Sequence, residues 1–170
     1  DDSIDVETAV PACLALAGES LDDFMASRAR EGEKLAGVIL ERVARMRALA
    51  RDVEPRIPAA QAAFNERLRQ RLLDAVQVVD DERIRQEVAV FAARIDVAEE
   101  LARLLTHLDE VERVLRAGGA SGKRLDFLMQ ELNREANTLG SKSLVAEIAQ
   151  TAIEFKLLIE QMREQVQNLE

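Results

Sequence analysis

Leu14, Ala17, Leu21, Phe24, Met25, Leu35, Val38, Ile39, Val43, Met46 and Leu49 recur mainly at three- and four-residue steps, and no proline interrupts them. That spacing puts one apolar stripe along a helix and cannot line one face of a strand. Pro11 fits a first turn, so the spacing predicts a long helix over about 8–53, or two in line, with Thr8 as its cap. The stretch "VEPRIP" (53–58) carries two prolines, which end that helix and begin a hairpin turn. A helix over about 59–79 follows, on Ala60, Phe64, Leu68, Leu72, Ala75, Val76 and Val79. Asp80 and Asp81 then suit the cap of a helix over about 82–117. The only glycine-rich loop, "AGGASG" (117–122), stops it and reads as a mobile connection. A short helix over about 123–139 ends at Gly140, and a terminal helix covers about 141–168.

Such a chain is all-α: a single domain, 1–170, of long antiparallel helices in an elongated bundle with helix hairpins. Its core must be Leu, Ile, Val and Ala, because aromatic residues are only 3% and Trp and Tyr are absent. The terminal helix carries Ile148, Ile153, Leu157, Leu158, Met162 and Val166, enough to pack between subunits or against the first helix. The single Cys13 makes no internal disulfide, and no 18-residue apolar run or signal-peptide pattern is present. The expected setting is the cytoplasm, away from membranes. The chain opens at Asp1 without an initiator Met, which reads as the loss of an N-terminal part.

A net charge of −9 disfavours a nucleic-acid binder taken whole, but the charge is unevenly spread. Residues 1–27 carry −7, 28–71 carry +5, 80–112 carry −6 and 113–142 carry +3. Local basic segments therefore permit phosphate binding, and a solvated, charge-patterned surface is equally open.

Two polar faces stand out. At about 100° per residue, Asp96, Glu100, Arg103 and His107 cluster on one side of the third helix, with Glu99 and Glu110 at the margin. Carboxylates and the only imidazole at such spacing can hold a divalent metal or supply an acid and a base. They can equally be ordinary intrahelical ion pairs. In "GKRLDFLMQELNREANTLGSKS" (122–143), Asp126, Gln130, Asn133 and Asn137 form a ladder beside the stripe Leu125, Leu128, Met129, Leu132, Ala136 and Leu139. Each Asn costs a helix interior about half a kcal/mol against Ala, so the ladder serves either a polar network that fixes register or contacts to a ligand.

With "RIDVAEELARLLTHL" (94–108) and "IEFKLLIEQMREQVQNLE" (153–170), that stretch resembles the carboxy-terminal half of the YicC family of bacterial endoribonucleases, and "LDDFMASRAREGEKL" (21–35) resembles the family's preceding helix. The family's amino-terminal half, with its β-structure, has no counterpart here. The resemblance implies RNA cleavage in the bacterial cytoplasm by a ring-like homo-oligomer, with other RNA-degrading enzymes as possible partners. It implies that His107, Glu100, Asp126 and Glu131 are catalytic, His107 being the side chain whose ordinary pKa lies nearest neutrality. It implies RNA contacts from Arg94, Arg103, Lys123, Arg124, Gln130, Asn133, Arg134, Asn137 and Lys142. Asp96, Glu99, Glu100 and Glu135, with Glu131 nearby, are the expected holders of Mg²⁺ or Mn²⁺. Without Tyr or Trp, recognition is expected to go by backbone and shape. The alternative is an RNA-binding and oligomerisation module whose catalysis lies mainly in the missing half.

Overall fold

The computed structural model describes residues 5–75, 81–94, 96–119, 121–143 and 145–169, with side chains 75, 81, 93 and 94 left aside. Among the described residues the order is α1 (Val6–Val53), a 3-10 turn (Glu54–Arg56), α2 (Ile57–Ala75), α3 (Asp81–Arg94), α4 (Ala98–Ala117), α5 (Gly122–Lys142) and α6 (Ala146–Gln167). No strand occurs among them, so the chain is all-α. None of the described helices is long and apolar enough to cross a membrane.

The core is built by the C-terminal part of α1 with α4, α5 and α6. Ile39, Val43, Met46, Ala50 and Val53 of α1 step by four and three, as do Ile148, Ala152, Phe155, Ile159, Met162 and Val166 of α6. Alternating steps of this kind keep one seam facing a neighbour, the pattern of up-and-down bundles. α1 packs on α4 and α6, and α5 packs on those same two helices from the other side. Of the apolar residues expected to pack from α6, Ile148, Met162 and Val166 lie in the core that α1, α4, α5 and α6 share and Leu158 packs against it, whereas Ile153 and Leu157 stay exposed.

Several expectations shift in detail. Asp5 caps α1, accepting from the Glu7 amide at 3.2 Å, and the Thr8 hydroxyl donates to the Asp5 carboxylate at 2.8 Å. Pro11 therefore lies inside the helix, beyond its first turn. It removes one backbone donor there, a loss that water can offset because this stretch is exposed. At "VEPRIP" the chain does not fold back on α1. Pro55 sits in the 3-10 turn and Pro58 in the first turn of α2, where a missing N–H costs nothing. α2 pairs instead with α3, where Phe64 and Phe91 stack with ring centroids 5.8 Å apart. The expected helix 82–117 is two helices: α4 starts afresh at Ala98 after Val97, and just before it the Asp96 carboxylate accepts the Ala98 amide at 3.0 Å. Gly140 does not end α5, which runs to Lys142. A Cβ there would meet the Ala152 Cβ at 3.4 Å, so the glycine marks the close approach of α6. The ends proposed at Val76–Asp80 lie outside the described residues.

Candidate functional site

Gly118 (φ 68°) and Gly119 (φ 80°) take the left-handed conformations that turn α4 back into α5, a region costly for residues with a Cβ. Three contacts fix the antiparallel register of this hairpin. Lys142 Nζ donates to Glu100 Oε1 at 2.8 Å, Arg103 lies 3.9 Å from Glu135, and Arg124 Nε donates to Glu110 at 3.0 Å. Between the Arg103–Glu135 and Arg124–Glu110 contacts lie the half-buried His107 of α4 and, on α5, the half-buried Glu131, which is 4.0 Å from Arg134. The seam thus holds a row of alternating charge with the chain's only histidine in its middle.

Two members of that row are unusual. Glu100 is 4% exposed and Glu135 5%, and carboxylates so buried persist only with compensating charge. Glu100 Oε2 has no hydrogen-bond partner, and Lys142 completes its reach by donating to the Asp96 carbonyl at 3.3 Å. Arg103 joins Glu135 to Glu99, its partner one turn away on α4. Further along, hydrogen bonds from Arg113 and then Arg124 hold the Glu110 carboxyl down at about 2, and Glu110 in turn raises Arg113 above its ordinary value. Arg47 of α1 closes the outer side of α4, 2.6 Å from Asp109 and 3.1 Å from Glu112.

The expected residues do not all meet. Glu100, His107, Glu131, Glu135, Arg103, Arg124 and Lys142 share the α4/α5 seam. Asp126 leaves it: it accepts from Gln130 at 2.8 Å and faces Arg163 of α6 at 3.9 Å. Lys123, Asp126, Arg163 and Gln167 line a cleft of about 410 Å³ between α5 and α6. Asn137 and Ser141 line a second, of about 310 Å³, with Ile153 and Lys156. Asn133 and Asn137 are exposed and make no side-chain hydrogen bond among the described residues, so only the Asp126–Gln130 part of the ladder is a network. The Arg94 side chain lies outside the described residues.

The expected metal holders are dispersed. Asp96 accepts from the Ala98 amide at 3.0 Å and from Gln61 at 3.2 Å, Glu99 pairs with Arg103, and Glu100 pairs with Lys142. Among the described residues no three His, Cys, Asp or Glu side chains converge. Glu100 and Glu135 each face a cation across the seam, Glu99 pairs along its own helix and Asp96 accepts from Gln61, where a metal site needs several oxygens on one point. These residues therefore do not fit a divalent ion within one chain.

Sequence reasoning missed Arg47, Arg113, Lys156 and Arg163. Lys156 and Arg163 had one signal: they are the only bases of the acidic segment 143–170 and stand seven residues apart, on one face of α6.

The architecture defines an up-and-down helical bundle with a charged hairpin seam. The family described as Endoribonuclease YicC-like, C-terminal, matches residues 53–170. The chain is 52% identical over 150 residues to the "Probable endoribonuclease YicC" of Haemophilus influenzae, covering 88% of this chain and 52% of that protein. It is 35% identical over 146 residues to the protein of the same name from Clostridioides difficile, covering 84% of this chain and 50% of that protein. The chain belongs to the YicC-like endoribonuclease family, as a counterpart of its C-terminal region. It spans about half the length of the curated relatives it matches.

Proposed function

We propose that this chain is the helical part of a bacterial cytoplasmic endoribonuclease that works as a homo-oligomer, with the α4/α5 seam taking part in phosphodiester cleavage. The observation that carries the reading is the row in which buried Glu100 faces Lys142, buried Glu135 faces Arg103, and the only histidine lies one turn beyond Arg103 toward the α4–α5 turn. Cleavage needs a proton taken from the attacking oxygen, a proton given to the departing one, and positive charge beside the phosphoryl oxygens. His107 serves as the proton-transfer group, with Glu131 of α5 along the same stretch of the seam. Lys142 and Arg103, each facing a buried carboxylate, supply charge that is held in place before RNA arrives.

The test is cleavage of an end-labelled RNA by the chain, with Mg²⁺, with Mn²⁺ and with EDTA. His107→Ala or Glu100→Gln should lower the rate by about two to four orders of magnitude while RNA affinity holds. Undiminished cleavage in both variants would remove the seam from the reaction. The pairing of most seam carboxylates with cations favours a second reading, in which the chain docks RNA and assembles subunits while chemistry lies elsewhere. RNA binding without cleavage would select it.

A further inference from the structure

At the end of the bundle where α4 turns into α5, Phe24, Met25 and Arg28 of α1 face Gly119, Ser121, Gly122 and Lys123 across a cleft of about 660 Å³, with Leu169 at its side. The volume suits a drug- or nucleotide-sized ligand. Its lining has three parts: an aromatic ring, an apolar floor and two cations.

The ring is open. Phe24 is 56% exposed in a chain with no Trp or Tyr, and the Arg28 guanidinium lies 5.9 Å from its centroid. A ring this exposed can take a second planar partner, and an Arg already beside it adds a cation–π contact. The cations are available too. Neither Arg28 nor Lys123 has an acidic partner among the described residues, although the chain as a whole carries −9. The acid nearest in sequence to Lys123, Asp126, faces Arg163 in the adjoining cleft. Asp22 and Asp23 lie about 120° and 140° around α1 from Arg28, and Glu31, about 60° from it, makes no ion pair with it among the described residues.

We infer that this cleft binds one nucleotide of single-stranded RNA, its base on Phe24 and its phosphate between Arg28 and Lys123. The inference rests on the RNA reading above and adds a place where a base is held, apart from the α4/α5 seam. A stacked base and two phosphate contacts are the elements of sequence-tolerant single-strand binding.

The experiment measures anisotropy of labelled oligouridylate and oligoadenylate with the unaltered chain and with Phe24→Leu, Phe24→Asp, Lys123→Ala and Arg28→Ala across a salt series. All three positions are exposed, so the variants should fold. Phe24→Leu keeps the apolar bulk and removes the stacking face, and should weaken both oligonucleotides about five- to 150-fold. Lys123→Ala and Arg28→Ala should each lower affinity and flatten the log–log salt slope by about 0.7. Equal binding by Phe24→Leu and the unaltered chain would overturn the cleft and leave the RNA reading standing. So would an oligomer that Phe24→Asp dissociates while RNA affinity is unchanged, since the face then belongs to a second copy. No binding of either oligonucleotide by the unaltered chain would overturn the RNA reading and the cleft together.

Discussion

Replacing Lys142 with Met keeps the aliphatic stem and removes the cation that, among the described residues, reaches Glu100. That carboxylate is 4% exposed, holds Lys142 at 2.8 Å through one oxygen and has no partner for the other. Removing one partner of a fully buried pair costs about 3–5 kcal/mol, because a charge is left desolvated and alone. The Lys142 side chain is 31% exposed, so water already shares in solvating the pair. The expected loss is therefore about 2–3 kcal/mol, a fall in melting temperature of about 4–12 °C for a chain of this size. Urea and thermal unfolding followed by helical circular dichroism measure it, which suits a protein without Trp or Tyr. The second arm is the double variant Lys142→Met/Glu100→Leu. With neither charge of this pair left it should return to within about 1 kcal/mol of the parent. A single variant costing under about 0.5 kcal/mol, or a double variant equal to the sum of its singles, would refute the idea that Glu100 is held by Lys142.

Glu110, held down at about 2 by Arg113 and Arg124, contributes stability that is complete above its ordinary value of 4.5 and is lost as pH falls toward 2. Glu110→Gln should remove that part of the acid limb in urea midpoints measured against pH. Gly140→Ala should stabilise by up to about 1 kcal/mol, since the new methyl meets Ala152 at 3.4 Å and helix propensity favours Ala. Gly140→Leu should destabilise, and the pair of melting temperatures separates close approach from a helix break. Leu132→Ala, fully buried on α5, should cost about 2–5 kcal/mol in the same unfolding assay.

The stripes of α4, α5 and α6 were legible because their neighbours are apolar on all sides and the period alone places them. The break before α4 was not read, although Asp96 and Glu99 stand three apart in the pattern of a capping box. The apolar stripe runs past the break, and periodicity is blind to a single cap. Gly140 was read as a breaker because composition shows a missing side chain and cannot show the helix that needs the space. The wheel of α5 grouped Asp126 with the ladder correctly, yet a wheel gives an angle and not a neighbour. Asp126 went to Arg163 on α6, while Glu135, expected to face a metal, went to the interior beside Arg103. His107, Glu100 and Lys142 could be named as candidates from sequence. The pairing of Glu100 with Lys142 across the seam needed the register set by the α4–α5 turn.

α1 is 48 residues long, yet its first buried residue is Ile39. At 1.5 Å per residue, about 50 Å of helix extends from that anchor toward Val6, and Phe24 sits about 22 Å along it. The helix is therefore a lever with its fulcrum in the core. A tilt of about 10° about Ile39 would carry the tip about 9 Å and Phe24 about 4 Å, while Lys123 stays with the bundle. Small repacking around Met46 and Ala50 is thereby magnified into the width of the cleft at the far end.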